Sequence, residues 1–122
     1  MAKFLVVDDE PMTAEMLATF IKFIGHDADI ALNCQQAWVK IEQQVPDAIL
    51  LDIMLPDTNG LEMCRQLRAK PQTAQTPVVM VSAIAPPLIK EAEEAGANDY
   101  LVKPINMQGL RNMLVKIGVQ TP

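Results

Sequence analysis

Short apolar runs alternate along this chain with longer stretches in which apolar residues recur at helical spacing. Phe4-Leu5-Val6-Val7 is the first run, and Asp8-Asp9-Glu10 follows it directly. Pro11 stands where a helix takes its first residue, and Met12, Met16, Phe20 and Ile24, joined by Leu17 and Ile21, mark one apolar helix face. Gly25 predicts the stop. Asp27 to Ala31 reads as a weak strand. Asn33 predicts the cap of a second helix that carries Ala37, Trp38, Ile41 and Val45 and is ended by Pro46. Ala48 to Leu51 is wholly apolar, as a strand buried on both faces is. Asp52 to Gly60 reads as a loop with turn formers at its end, followed by a helix with Leu61, Cys64, Leu67 and Arg68. Pro77 to Val81 predicts a fourth buried strand that runs into Ser82-Ala83. A fourth helix is expected from Pro86-Pro87 to Gly96, a fifth strand over Asp99 to Val102, and a last helix over Met107 to Ile117 with Leu110, Leu114 and Ile117 as its buried stripe.

Strand and helix thus alternate five times. Units of this length predict an α/β fold with a parallel sheet covered on both faces. Right-handed crossovers make it doubly wound, and five strands suit the flavodoxin-like order 2-1-3-4-5 rather than a barrel.

Composition narrows the function classes. The 122 residues allow one domain, half of them apolar and a fifth charged, enough for a real core. Ten Lys and Arg face fifteen Asp and Glu, a net charge of −5 with no basic run, which argues against nucleic-acid binding. No apolar run approaches the ~20 residues of a membrane span, and no leader pattern opens the chain, so a cytoplasmic location is expected. Cys34 and Cys64 lack the spacing of a disulfide framework or a zinc site and read as packing residues. His26 after Gly25 reads as a surface turn residue, Met12 and Met16 as core packing, and Trp38 as core or helix-surface contact.

In doubly wound sheets, ligands bind beyond the carboxyl ends of the strands, at the point where winding reverses. The residues there are Asp8, Asp9 and Glu10 after the first strand, Asp52 after the third, Ser82 after the fourth and Lys103 after the fifth. Taken singly each has an ordinary structural explanation: a helix cap, a turn former, a small residue at a bend, a solvated lysine. Together they bring three carboxylates, a hydroxyl and an ammonium to one edge. Carboxylates so close raise one another's pKa, and a divalent cation such as Mg²⁺ relieves the repulsion and attracts phosphoryl oxygens. A carboxylate can itself attack phosphorus, while Ser82 and Lys103 are suited to holding phosphoryl oxygens. No glycine-rich phosphate loop is present.

Phe4-Leu-Val-Val-Asp8-Asp9-Glu10-Pro11, Asp52-Ile-Met-Leu-Pro56-Asp-Thr-Asn-Gly60, Ser82-Ala83 and Lys103-Pro104 together resemble the receiver domain of two-component response regulators, over essentially the whole chain. The resemblance implies that Asp52 accepts a phosphoryl group from a phosphohistidine on a sensor histidine kinase or phosphotransfer protein. It implies that Asp9 and Asp52 ligate Mg²⁺, that Asp8 acts through a water, and that the Met54 backbone carbonyl completes the protein's share. It makes Ser82 and Lys103 the groups that grip the phosphoryl, Lys103-Pro104 a cis peptide, and Ser82 with Tyr100 a switch acting on the face of the fourth helix, fifth strand and fifth helix. Met54 and Ile84 flank the path that hydrolytic water takes in the family; both are apolar, so slow self-dephosphorylation is expected.

Two other readings compete. Asp8 with a carboxylate two positions on is similar to an aspartate-nucleophile phosphohydrolase, but that leaves Asp52 without a role and 122 residues leave no cap domain. A pseudo-receiver that only binds partners would have lost an acid, the hydroxyl or the lysine, and none is missing. Residues 1–122 read as one receiver, a phosphoacceptor rather than a turnover enzyme, with no output module in this chain. A downstream protein or linked output domain is the expected recipient of the signal. Lys90, Glu91, Glu93, Glu94 and Arg111 read as solvated charge, with a phosphorylation-dependent homodimer as the alternative left open.

Overall fold

The computed structural model describes residues 2–119. Its elements run β1 (Lys3–Val7), α1 (Pro11–Ile24), β2 (Asp27–Ala31), α2 (Cys34–Gln43), β3 (Ala48–Asp52), α3 (Gly60–Ala69), β4 (Val78–Ser82), α4 (Ile89–Glu94), β5 (Asp99–Val102) and α5 (Met107–Lys116). The five strands form one parallel sheet in the order β2-β1-β3-β4-β5, the expected flavodoxin-like winding. Alternate residues of each strand feed two cores. Phe4, Val6, Leu50, Val79 and Val81 pack with α1 and α5, while Leu5, Val7, Ile49, Leu51, Val78 and Met80 pack with α2, α3 and α4. No helix among the described residues is long and apolar enough to cross a membrane.

Local chemistry sets the helix ends. Pro11 occupies the first turn of α1, and Gly25 closes it at φ 110°, its N–H bonded to the carbonyls of Ile21 and Lys22. Asn33 caps α2 by accepting the Gln36 N–H, and Asn106 caps α5 by accepting that of Gly109. Arg68, near the end of α3, spends its whole guanidinium on fixed partners: the carbonyls of Gly96, Thr73 and Thr76 and the side chain of Asn98.

Several expectations need correcting. The buried face of α1 is Ala14, Leu17, Ala18, Ile21 and Ile24, and Met12 is 86% exposed. Steps of four residues drift by about 40° each, so Met12 and Ile24 lie on different sides of the helix. α2 ends at Gln43, and Val45 is exposed, because the residue before a proline is driven to extended backbone. α4 is only six residues long and starts after the proline pair, since Pro87 bars helical geometry at Pro86. The Ala85–Pro86 bond is cis, as is Lys103–Pro104. Ile117 lies past the end of α5, whose buried residues are Leu110, Met113 and Leu114.

His26 is not a surface residue. It is buried, its ring centroid 5.7 Å from that of Phe4, and its Nδ1 accepts the Ala2 N–H at 2.9 Å. The chain just before β1 crosses over it, which no local turn signal announces. Cys34 and Cys64 are buried free thiols within the α2–α3–α4 side of the core, as expected of packing residues, and burial pushes both thiols above their ordinary pKa. Trp38 is half-buried against the same core, with Lys70 Nζ 4.9 Å above its ring.

Candidate functional site

Parallel register determines which strand ends meet. Val7 pairs with Leu51, so the next residues, Asp8 and Asp52, lie at the same level, Asp8 just past β1 and Asp52 as the last residue of β3, paired with Val81. Ser82 pairs with Val102, and the Lys103 N–H donates to the Ser82 carbonyl at 2.9 Å. Four strand ends therefore converge on an open cleft of about 390 Å³ whose walls include Asp8, Asp9, Asp52, Met54, Ser82 and Lys103. These are the residues expected from the sequence. Tyr100 does not line the cleft. It lies on β5 in register with Met80, packs on the α2–α3–α4 side, and accepts the Leu88 N–H at its hydroxyl, 3.2 Å away.

Carboxylate oxygens of Asp8, Asp9 and Asp52 all lie within 4.8 Å of one another. Asp8 and Asp52 are buried and Asp9 is exposed at the rim. Lys103 Nζ bridges the buried pair, 2.8 Å from Asp8 Oδ2 and 3.1 Å from Asp52 Oδ2. The other oxygens accept backbone donors: Asp8 Oδ1 from Glu10 N–H at 3.0 Å, Asp52 Oδ1 from Met54 N–H at 3.2 Å. Three carboxylates face one ammonium, with Asp8 and Asp52 withdrawn from water and Asp9 open to it at the rim.

The titration of the groups reflects this. Burial drives the Asp52 carboxyl above its ordinary value; Lys103 opposes the rise and the Asp8 carboxylate adds to it. Burial works to lower the Lys103 pKa, but its bonds to Asp8 and Asp52 outweigh that and raise it. Lysine therefore stays charged while Asp52 carries charge at a cost. A second cation removes that cost. The donors are all hard carboxylate oxygens with no thiolate or imidazole among them, which fits a hard divalent cation.

Ser82 Oγ is buried and accepts the Ile84 N–H at 3.0 Å, leaving the hydroxyl proton free to donate toward the cleft. The loop between β3 and α3 holds Met54, Leu55 and Pro56 against the cleft. Gly60 at its base is obligatory: a Cβ there would strike the Asp52 carbonyl oxygen. Asp57, which sequence reasoning passed over as a turn former, accepts the N–H groups of Cys34 and Gln35 at 3.0 Å each. Those bonds, that to Cys34 foremost, hold its carboxyl below the ordinary range. An acid following proline in a turn is only a weak pointer to such a contact, because its partner is far along the chain.

Comparison with known proteins agrees with this geometry. Residues 4–115 match the response regulator receiver domain family. The phosphate regulon transcriptional regulatory protein PhoB of Rhizobium meliloti is 34% identical over 109 residues, 85% of this chain and 46% of that protein. The DNA-binding response regulator MtrA of Mycolicibacterium smegmatis is 38% identical over 109 residues, 88% of this chain and 46% of its own length. The chain thus spans about half the length of these curated relatives. Among solved structures, the chemotaxis response regulator CheY4 of Vibrio cholerae superposes with a TM-score of 0.89 at 29% identity, covering 96% of this chain and 98% of that one. The receiver domain of the sensor histidine kinase PA1611 of Pseudomonas aeruginosa, solved with a magnesium ion coordinated in its active site cleft, gives 0.85 at 29% identity with the same coverages. The motifs, the winding of the sheet, the carboxylate cluster and the family match all agree: this chain belongs to the response regulator receiver domains of two-component signalling, and is a phosphoacceptor module rather than a turnover enzyme.

Proposed function

We propose that Asp52 accepts a phosphoryl group from a phosphohistidine on a sensor histidine kinase or phosphotransfer protein, with Mg²⁺ held by Asp8, Asp9, Asp52 and the Met54 backbone carbonyl. The observation that carries this reading is the gathering of three carboxylates within 4.8 Å around one bridging lysine. An Asp52 carboxylate oxygen attacks phosphorus; the phosphorus–nitrogen bond breaks and its electron pair leaves with the imidazole. A Mg²⁺ held by these residues would supply charge neutralisation to phosphoryl and carboxylate oxygens. Lys103 supplies the remaining positive charge, and the Ser82 hydroxyl donates its free proton to a phosphoryl oxygen. Met54 and Ile84 offer no group to orient water, so the aspartyl phosphate is long-lived.

Ser82 and Tyr100 are read as the switch. Phosphorylation draws Ser82 toward the new anion, the ring turns inward, and the α4–β5–α5 face changes for a downstream protein or a linked output domain, or for a second copy of the chain. The turn of the ring would break the bond from the Leu88 N–H to the Tyr100 hydroxyl, which ties the ring to the start of α4. The shift is only as large as the difference in affinity between the two states. The reading places the module in the cytoplasm, with no direct contact to nucleic acid or membrane.

Acetyl phosphate with Mg²⁺ tests it. One acid-stable, base-labile phosphoryl per chain on Asp52, lost in Asp52→Ala, is the expected result. Multiple turnover by Asp52→Ala would instead favour a phosphohydrolase centred on Asp8, and a phosphoryl half-life of seconds would overturn the long-lived adduct.

A further inference from the structure

The loop from Ile53 to Asn59 forms one wall of the cleft and carries the Met54 carbonyl. At its base it is closed on itself. Met54 and Asn59 form an antiparallel bridge, the Gly60 N–H donates to the Ile53 carbonyl at 2.6 Å, and the Asn59 side chain accepts the Leu61 N–H. The near end is further seated by buried Ile53, by Leu55 against the core and by the Met54 N–H on Asp52 Oδ1 at 3.2 Å, but none of these contacts reaches the far side of the loop. The far side is held at its tip. Asp57, one residue beyond the cleft-lining Pro56, reaches the first turn of α2, and each of its carboxylate oxygens accepts one backbone N–H, from Cys34 and from Gln35.

These are two of the donors that a helix start leaves without intrahelical partners. α2 has no acidic residue of its own in that turn, and its own cap, Asn33, serves only the Gln36 N–H. The positive end of α2 thus meets a carboxylate that comes from 22 and 23 residues away. α2 is in turn anchored by Cys34, Ala37 and Ile41 in the core, so the contact ties the loop to a packed element.

We infer that Asp57 is a positioning residue for the metal and phosphoryl site: its two-pronged grip on the start of α2 sets the position of the Met54 backbone relative to Asp8, Asp9 and Asp52. The inference rests on the reading of Met54 as a metal ligand given above. Groups that orient a ligand without touching the metal typically govern affinity strongly.

Two variants of the same helix start separate positioning from mere capping. Asp57→Ala removes the grip, whereas Asn33→Ala removes a cap that has no connection to the loop. Both lower the melting temperature of α2-dependent unfolding. By calorimetric titration, Asp57→Ala weakens Mg²⁺ binding about tenfold, Asp57→Asn, which keeps one acceptor oxygen, by a smaller factor, and Asn33→Ala by less than about twofold. In metal-free protein, amide hydrogen exchange at Met54 and Gly60 speeds up in Asp57→Ala and stays at the wild-type rate in Asn33→Ala. Equal loss of Mg²⁺ affinity in the two alanine variants, or unchanged exchange at Met54 and Gly60 in Asp57→Ala, overturns the positioning role. Absence of Mg²⁺ binding by the wild-type protein overturns the reading beneath it.

Discussion

The two ends of the sheet bury polar groups on opposite terms. At the carboxyl end, Asp8 and Asp52 are withdrawn from water as charges and share one lysine. At the amino end, His26 is buried as a ring. Its Nδ1 accepts from Ala2, so the neutral ring carries its proton on Nε2, which has no partner among the described residues. Nearby, Asp47 accepts the Lys3 N–H at 2.7 Å from an exposed position. One end buries carboxylates that share a single lysine, the other buries a ring with one nitrogen bonded and one without a partner among the described residues. Unmet charge is a reservoir for ligand binding, and its cost falls on the stability of the empty protein.

The largest test of this contrast is Asp52→Asn. It abolishes phosphoryl uptake, yet in metal-free buffer it raises the unfolding midpoint in urea, because it removes a buried charge that burial and Asp8 both oppose. A loss of stability in that variant would break the comparison. Gly60→Ala comes next. A methyl group against the Asp52 carbonyl forces the backbone under the phosphoacceptor to move, at a cost of about 2 kcal/mol or more, with phosphorylation falling as well. Denaturation curves and labelling on the same sample check both parts.

The pH dependence sharpens the contrast further. The folded protein holds the Asp52 proton more tightly than the unfolded chain does. That contribution to stability is complete below the ordinary value of 3.8 and is lost as pH rises through the raised folded value. Asp57 runs the other way: its contribution is present above 3.8 and is lost as pH falls through its lowered folded value. Metal-free urea denaturation as a function of pH shows the first slope in the wild-type protein and not in Asp52→Asn. The smallest effect is at the amino end. His26→Phe leaves the Ala2 N–H without its acceptor but also removes the orphan donor, so stability falls by about 1 kcal/mol and phosphoryl uptake is unchanged. A change in uptake would show that the two ends are coupled.

What the sequence disclosed follows the same division. Asp8, Asp52, Ser82 and Lys103 were legible because each ends or directly follows a strand, and parallel winding carries strand ends to one edge whatever the loops do. Apolar runs, helical spacing and the proline, glycine and cap signals between them located every strand and helix. They misplaced Met12 because a four-residue repeat is not the helical repeat, and began α4 too early because Pro86-Pro87 looks like a helix start. The contacts of His26, Asp57 and Arg68 left no such trace. Each joins a loop or a helix end to a partner at a sequence distance that no local pattern encodes.

Arg68 has a mechanical consequence for the helix it never enters. Its guanidinium pins the turn at Gly96, just past the end of α4, and the side chain of Asn98 at the start of β5. The opposite end of α4 has no side-chain cap, and the Leu88 N–H before it is held by the Tyr100 hydroxyl. Ala92 in the core and Leu88 packed against it seat this helix by apolar contact, and its polar anchorage is uneven: Arg68 fixes the Gly96 end, and one bond from Leu88 to Tyr100 serves the other. Under the proposed switch, a displacement from Ser82 would then be taken up at the proline-rich start of α4 rather than at Gly96.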